Sequence, residues 1–352
     1  MNDIIKYTID KSASVRDALV KLDALPGDAL TLLILDGKCL VGTLTDGDIR
    51  RFLIKDGSSL DAPVEMVMYR DFCYIHPGEK NVQKIRDFRL KGVELLPCID
   101  ETGTLLRVFN LKQKKSILPI DAVLMAGGKG ERLRPLTEKI PKPLLKIGEK
   151  AIIDYNVDRL INYGVDNIHV TVNYLAAQIE EHFKEERNGI KVNCFREKAF
   201  SGTIASVKLI PNIVNEDILI MNSDLFTNID FEDFYRHFLE RDADMSVAAV
   251  PYSVNVPYGI FELDGRNIKG VIEKPTYNYY ANAGIYFVKR NLLNHIPDNA
   301  FFHATDFMDL LISQGKTVVR YPLVGYWIDI GKPADYQKAH DFVKHIKENN
   351  EQ

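Results

Sequence analysis

The sequence has little of what soft metal sites, disulfide scaffolds or membrane spans require. Its four cysteines, Cys39, Cys73, Cys98 and Cys194, fall at no CxxC or metal-finger spacing. A chain of 352 residues needs no disulfide framework, so a reducing, cytoplasmic compartment is expected. The eight histidines show no HxxxH or HExxH arrangement, which leaves none as a favoured ligand. No run approaches the length of apolar residues that a membrane helix needs. The opening segment MNDIIKYTIDKSASV has no apolar stretch of the kind a secretory leader carries, and none is expected. The net charge of −4 gives no general polyanion-binding surface, so no nucleic-acid partner is expected.

What is there reads as a globular protein of ordinary composition, with 46% hydrophobic and 27% charged residues. The length calls for two or more domains. Residues 1–115 hold a loose internal repeat. SASVRDALVKL followed by LTLLILDGKCLVGTLTDGDIRRFL is the first copy, and GEKNVQKIRDF followed by LLPCIDETGTLLRVFNLKQKK is the second. Each copy reads as helix, strand, turn, strand, helix, with turns at Asp36-Gly37 and Glu101-Thr102-Gly103. KQKKS at 112–116 and Pro119 end this part, which predicts one domain over 1–116 and a second over 121–352.

From residue 121 strand and helix patterns alternate. DAVLMA, NIHVTVN, KVNCF, DILIMNSD and MSVAAVP read as strands. IIDYNVDRLINY, AAQIEEHF, IASVKLI and FEDFYRHFLE read as helices. The alternation predicts an α/β, Rossmann-like, mostly parallel sheet, preceded by a smaller α+β unit. Such sheets bind ligands beyond the carboxyl ends of their strands. The tail, with Tyr336, Ala339, Phe342, Val343 and Ile346 on one side, predicts a closing amphipathic helix.

At the end of the first of these strands comes LMAGGKGERLRPL, then PKPL. Gly127, Gly128 and Gly130 let backbone N–H groups approach an anion. The spacing is neither GxGxxG nor a Walker A loop. Arg132 can grip phosphate oxygens bidentately, and Lys142 between two prolines is held with little freedom. Asp224 closes the apolar strand of MNSD, and Asp329 stands at a second strand end in GYWIDIGKPADY. Either could be a turn or cap residue, or two such carboxylates could serve a magnesium ion, which takes oxygen donors.

GGKGERLRPLTEKIPKPLLKIG resembles the signature of the sugar-1-phosphate nucleotidyltransferases, and the likeness runs through 121–340. Glu131 stands where that family commonly has Thr. The resemblance implies a GT-A-like fold, metal binding by Asp224 and Asp329, and catalytic roles for Arg132 and Lys142. It implies nucleotide binding by Gly127, Gly128 and Gly130 and by Gly202 and Thr203 in EKAFSGTIASV. It also implies sugar-phosphate contacts from Tyr258, Gly259, Glu273, Lys274 and Asn282. Ser201, Ile204, Ala205 and Ser206 depart from the family's usual LGTAGAL, which leaves base and sugar identity open.

The implied reaction joins an NTP and a sugar 1-phosphate into an NDP-sugar and pyrophosphate. Its nucleophile is already anionic, so no general base is needed and none of the familiar nucleophile–base constellations is present. The segment PKPLLKIGEKAIIDY looks most like guanylyltransferases acting on mannose- or glucosamine-type 1-phosphates in bacterial glycan synthesis. Thymidylyl-, uridylyl- and cytidylyltransferases, a phosphocholine-type substrate and a non-catalytic regulatory subunit remain alternatives.

GTLTDGDIRRF at 42–52 resembles the nucleotide-contacting end of a CBS domain. The resemblance implies an adenine nucleotide at Thr45 and Asp48, with Asn110 and Gln113 as a degenerate counterpart in the second copy. The other reading is a structural or homodimerising pair without a ligand, and a homo-oligomer is expected.

Overall fold

The computed structural model describes residues 2–25, 27–79, 81–298 and 300–350. It divides into two compact units, Met1–Pro119 with Asn162–Gly164, and Ile120–Ile161 with Val165–Gln352. The boundary falls at Pro119, three residues beyond the expected end of the first domain.

The first unit opens with α1 (Asn2–Tyr7), β1 (Thr8–Asp10) and α2 (Val15–Asp23). Next come β2 (Thr31–Asp36), β3 (Cys39–Thr45) and α3 (Asp46–Leu53), and later α4 (Val82–Leu90), β4 (Leu95–Ile99) and β5 (Leu105–Asn110). Ser14 and Asp17 close a capping box at the start of α2, which then buries Val15, Ala18 and Leu22 at helical spacing. β1 pairs parallel with β2, and β2 pairs antiparallel with β3. The second copy repeats this: Ile75 bridges Cys98 in parallel, and β4 pairs antiparallel with β5.

The expected closing helix of the second copy does not form; residues 111–113 are a turn. The Asn110 side chain accepts from the backbone N–H groups of Lys112 and Gln113, as a cap would. The following Lys114-Lys115-Ser116 offers no apolar stripe to bury, so nothing propagates a helix from that turn.

The second unit begins with β6 (Ile120–Ala126), the short hairpin β7 (Lys146–Ile147) and β8 (Lys150–Ala151), and α5 (Ile152–Asn162). β9 (Asn167–Val172), α6 (Ala176–His182), β10 (Val192–Arg196), β11 (Asp217–Asn222), β12 (Leu225–Thr227) and α7 (Phe231–Glu240) follow. Then come β13 (Met245–Asn255), β14 (Ile260–Asp264), β15 (Asn267–Ile272), β16 (Thr276–Lys289) and α8 (Ala304–Ser313). β17 (Val318–Pro322), β18 (Trp327–Asp329) and α9 (Pro333–Asn350) complete it.

Seven strands form the main sheet in the order β10-β9-β6-β11-β16-β13-β17. Of these seven, β16 alone runs against the others. The apolar runs of β6, β9 and β11 are buried almost throughout, as strands covered on both faces must be. On one face Phe234, Tyr235 and Phe238 of α7 pack around Phe287 of β16, with ring centroids 4.7, 5.2 and 5.7 Å away. The expected α-helix near 204–210 is instead a 3₁₀ turn over Ala205–Leu209. Gly202 and Pro211 bracket too few residues for an α-helix, and the Ser206 hydroxyl is tied to Thr171 at 3.0 Å. Among the described residues no helix is long and apolar enough to cross a membrane.

Candidate active site

β6 delivers the chain to Gly127 and Gly128 at the carboxyl edge of the sheet. A Cβ at Gly127 would meet Glu197 Oε1, so any larger residue there would push the Glu197 carboxylate aside. Gly128 faces open space. The Thr137 hydroxyl fastens the loop by donating to the Gly130 carbonyl at 2.8 Å. Arg132 follows in a single 3₁₀ turn, and its guanidinium lies close against Gly331. Lys142, 11% exposed, reaches Asp224 in an ion pair.

These groups line one cleft of about 540 Å³, walled by Gly127, Gly128, Gly130, Arg132, Lys142, Asn173, Phe200, Asp224 and Gly331. A cavity of about 160 Å³ shares the glycine wall, Lys142 and Asp224, and adds Glu197, Gly202, Thr203 and Asn222. The expected closing helix, α9, holds the cleft's frame. Its Ala339 and Val343 join Leu133 beside Arg132, and Ile328 and Ile330 beside Asp329, in one buried cluster.

Asp224 occupies the turn between β11 and β12, and Asp329 is the last residue of β18. β12 and β18 pair antiparallel with Leu225 opposite Asp329. Burial, then the neighbouring Asp224 charge, push the Asp329 carboxyl above the ordinary carboxylate range, against the pull of Lys142 and Arg132. Asp224 lines both cavities and Asp329 lines neither, but two carboxylates that repel one another are a fitting donor set for a hard divalent cation. Among the described residues no third His, Cys, Asp or Glu joins them, so such an ion would keep positions for phosphate oxygens or water.

Glu197 carries no role in the sequence reading, although it begins the stretch that contains Gly202 and Thr203. It is 5% exposed. Its Oε2 accepts from the backbone N–H and the hydroxyl of Ser201, both at 3.1 Å. Its Oε1 lies over Gly127. Burial pushes its pKa up, only partly offset by Ser201. The sequence signal was the bare glycine opposite, seventy positions earlier, which no local pattern reveals.

Gly202 and Thr203 line the smaller cavity and also lock its wall. Gly202 has φ 99°, and the Phe302 backbone sits where its Cβ would be. Thr203 Oγ1 accepts from Ala304 N at 2.9 Å, at the start of α8. The expected sugar-phosphate residues lie elsewhere. Glu273 Oε2 is 3.0 Å from the position of a Cβ on Gly259, so these two meet. Tyr258 is 73% exposed, and Lys274 has φ 43°. Asn282 lies within β16 rather than before a strand, because the strand extends back to Thr276. Its amide accepts from Gly284 N and donates to the Tyr286 hydroxyl. None of Tyr258, Gly259, Glu273, Lys274 and Asn282 lines either cavity.

In the first unit, Thr45 and Asp48 form the capping box of α3. Asp48 Oδ2 accepts from Thr45 N and Oγ1 at 2.8 and 2.6 Å, and Arg51 pairs with Oδ1 at 2.5 Å. Asn110 and Gln113 instead turn to the buried Asp28.

The nucleotidyl transferase family model matches residues 121–346. The chain is 28% identical over 224 residues to mannose-1-phosphate guanyltransferase beta-B of Xenopus laevis, covering 61% of this chain and 62% of that protein. It is 32% identical over 232 residues to bifunctional protein GlmU of Methanocaldococcus jannaschii, covering 64% and 54%. It therefore spans less than two thirds of the length of these curated relatives. Among solved structures, HddC from Yersinia pseudotuberculosis, also determined in complex with GMP-PN, superposes with TM-score 0.51 at 26% identity. That match covers 64% of this chain and 99% of HddC.

Proposed function

The chain belongs to the nucleotidyl transferase family through residues 121–346, and from that premise we propose that it transfers the nucleotidyl group of GTP to a sugar 1-phosphate, releasing pyrophosphate. The observation that carries this reading is the meeting of Arg132, Lys142, Asp224 and the glycine loop around one cleft, with Asp329 beside Asp224.

The sugar-phosphate oxygen attacks the α-phosphorus in line with the departing pyrophosphate, so the chain's task is positioning and charge neutralisation. The bare backbone at Gly128, which faces open space, admits the phosphates. Arg132 holds the pyrophosphate side. Lys142 exchanges its ion pair with Asp224 for the α-phosphate, where charge grows in the transition state. Asp224 and Asp329 would hold a magnesium ion, which when bound supplies neutralisation of phosphate charge.

Glu197 supports guanine as the base. An ionised carboxylate only accepts hydrogen bonds. Guanine presents two adjacent donors, N1–H and the exocyclic N2–H₂. Uracil and thymine flank their one ring donor with carbonyls, and cytosine and adenine set an acceptor beside their amino group. The mannose-1-phosphate guanyltransferases among the relatives and the GMP-PN complex of HddC agree with that choice. A mannose- or glucosamine-type 1-phosphate would be the acceptor, its hydroxyls and phosphate met by Asn282, Glu273 and Lys274. The product would serve cytoplasmic steps of glycan synthesis. We read the first unit as a regulatory pair of CBS type, where an adenine nucleotide reaching Asp48 must displace Thr45 and Arg51.

The test is pyrophosphate release with Mg²⁺ across ATP, CTP, GTP, UTP and dTTP against several sugar 1-phosphates. Release that needs both substrates, prefers GTP and disappears in Asp224→Ala supports the proposal. Preference for another base removes the guanylyl reading. No release across the matrix, with nucleotide still binding the first unit, favours a regulatory subunit.

A further inference from the structure

Phe200 lines both cavities, and among the described residues it is the one aromatic side chain in either wall. In the larger cleft every other wall residue is glycine, charged or an amide. A phenylalanine that served the core alone would be covered, yet Phe200 is 44% exposed. Phosphate oxygens and a metal ion gain nothing from such a ring. A nucleobase presents a flat π face that stacks on it.

Its place in the chain joins it to Glu197. The two belong to one turn, closed by the Ser201 N–H and hydroxyl on Glu197 Oε2. A carboxylate can read the edge of a base, and a ring can cover its face. One turn thus carries both kinds of contact at the wall of the smaller cavity.

The ring is held before any ligand arrives. Phe301 meets it with centroids 5.8 Å apart and planes at 68°, and His303 meets Phe301 at 4.8 Å and 87°. The backbone behind this row is fixed as well. Phe302 N donates to the Ser201 carbonyl at 2.8 Å, and Ala304 N donates to Thr203 Oγ1 at 2.9 Å. A ring placed in advance loses little freedom when a ligand settles on it.

We infer that Phe200 is the stacking platform for the nucleobase, with Phe301 as its brace. This rests on the reading of the cleft as a nucleotide site. It does not rest on the base being guanine, since every base has a π face.

Calorimetry on the full chain with Mg²⁺ tests it, using GTP and inorganic tripolyphosphate, which has no base. Phe200→Ala should weaken GTP binding about 10–100-fold and leave tripolyphosphate binding unchanged. Phe200→Trp should retain GTP. Its added indole emission should be quenched by GTP and not by tripolyphosphate, with the parent, which has a single tryptophan, as the blank. KM for the sugar 1-phosphate should not move. Should the alanine variant misfold by circular dichroism, Phe200→Leu removes the ring and keeps apolar bulk. Equal losses of GTP and tripolyphosphate would reduce Phe200 to a support of its loop and overturn the inference. Unchanged GTP affinity, or a loss confined to the sugar 1-phosphate, would do the same. If ATP, CTP, UTP or dTTP binds and quenches in place of GTP, the guanylyl reading fails and the platform stands. If none of the five quenches the indole, the platform fails whatever the reaction.

Discussion

The backbone carbonyl of Asp224 accepts a hydrogen bond from Ile330 at 3.3 Å, and this link sets the Asp329 carboxyl in the field of the Asp224 carboxylate. Burial and the Asp224 charge make the ionised Asp329 a cost to the fold that Lys142 and Arg132 only partly offset. Asp329→Asn should therefore raise the unfolding temperature in chelator. It should also abolish any rise that Mg²⁺ gives the unmodified chain, and lower turnover by about 10²–10³. Thermal unfolding with and without Mg²⁺ reads the first two effects without any substrate. An unchanged Mg²⁺ response in the variant would remove Asp329 from the metal site.

Lys142 is committed to Asp224 before any phosphate arrives. Lys142→Ala should cost about 10²–10³ in kcat, the scale of losing one preorganised donor to transition-state charge. Because the pair is largely shielded from water and the variant leaves Asp224 unpaired beside Asp329, Lys142→Ala should also lose stability. A variant that raises KM for the nucleotide but leaves kcat intact would show that Lys142 binds the ground state only.

Glu197 should decide the base. Inosine triphosphate lacks the exocyclic amino group of GTP, so the unmodified enzyme should favour GTP over it by about 10–100-fold, the value of a good bidentate base contact. In Glu197→Ala that preference should collapse, while the rate with saturating nucleotide falls less. Equal discrimination in the two proteins would remove Glu197 from base readout.

The same residue predicts a pH dependence. Only the ionised carboxylate accepts both donors, and burial pushes its pKa up. KM for GTP should thus climb as pH falls, beginning above the ordinary glutamate range. The stability effect has the opposite sign. A carboxyl whose folded pKa is raised favours the fold below its unfolded pKa and loses that contribution as pH rises through the folded value. Glu197→Gln should accordingly be more stable than the parent near neutral pH and no more stable in acid, as denaturant titrations at two pH values would report.

The glycine loop, the strand-end aspartates and the parallel sheet could be read from sequence because each depends on local rules: apolar runs, turn residues and strand ends. Glu197 could not, since its role follows from Gly127 being bare across the cleft. The helix expected to close the second copy, in NLKQKK, does not form because its polar residues have no face to bury. Glu273, Lys274 and Asn282 were grouped by resemblance. They line neither cavity, and the long β13–β16 pairing in which Asn282 sits rests on cross-strand register, which a single segment does not encode.

Asp28 joins the two repeat copies of the first unit. Burial alone would raise its pKa, yet Lys6, the Ala29 N–H, Tyr7 and Asn110 outweigh it and hold the carboxyl at about 2. A group depressed in this way stabilises the fold above its unfolded pKa near 4 and loses that contribution as pH falls through about 2. A carboxyl held that far below its ordinary value contributes about 2.5 kcal/mol when ionised. Asp28→Asn should remove about that much from the first unit at neutral pH and almost nothing at pH 2, where the parent's carboxyl is half protonated. The single tryptophan, Trp327, belongs to the second unit. Amide exchange in the first unit should therefore accelerate while tryptophan emission stays unchanged. Equal exchange rates in parent and variant would mean that Lys6, Tyr7 and Asn110 hold the two copies together without the charge.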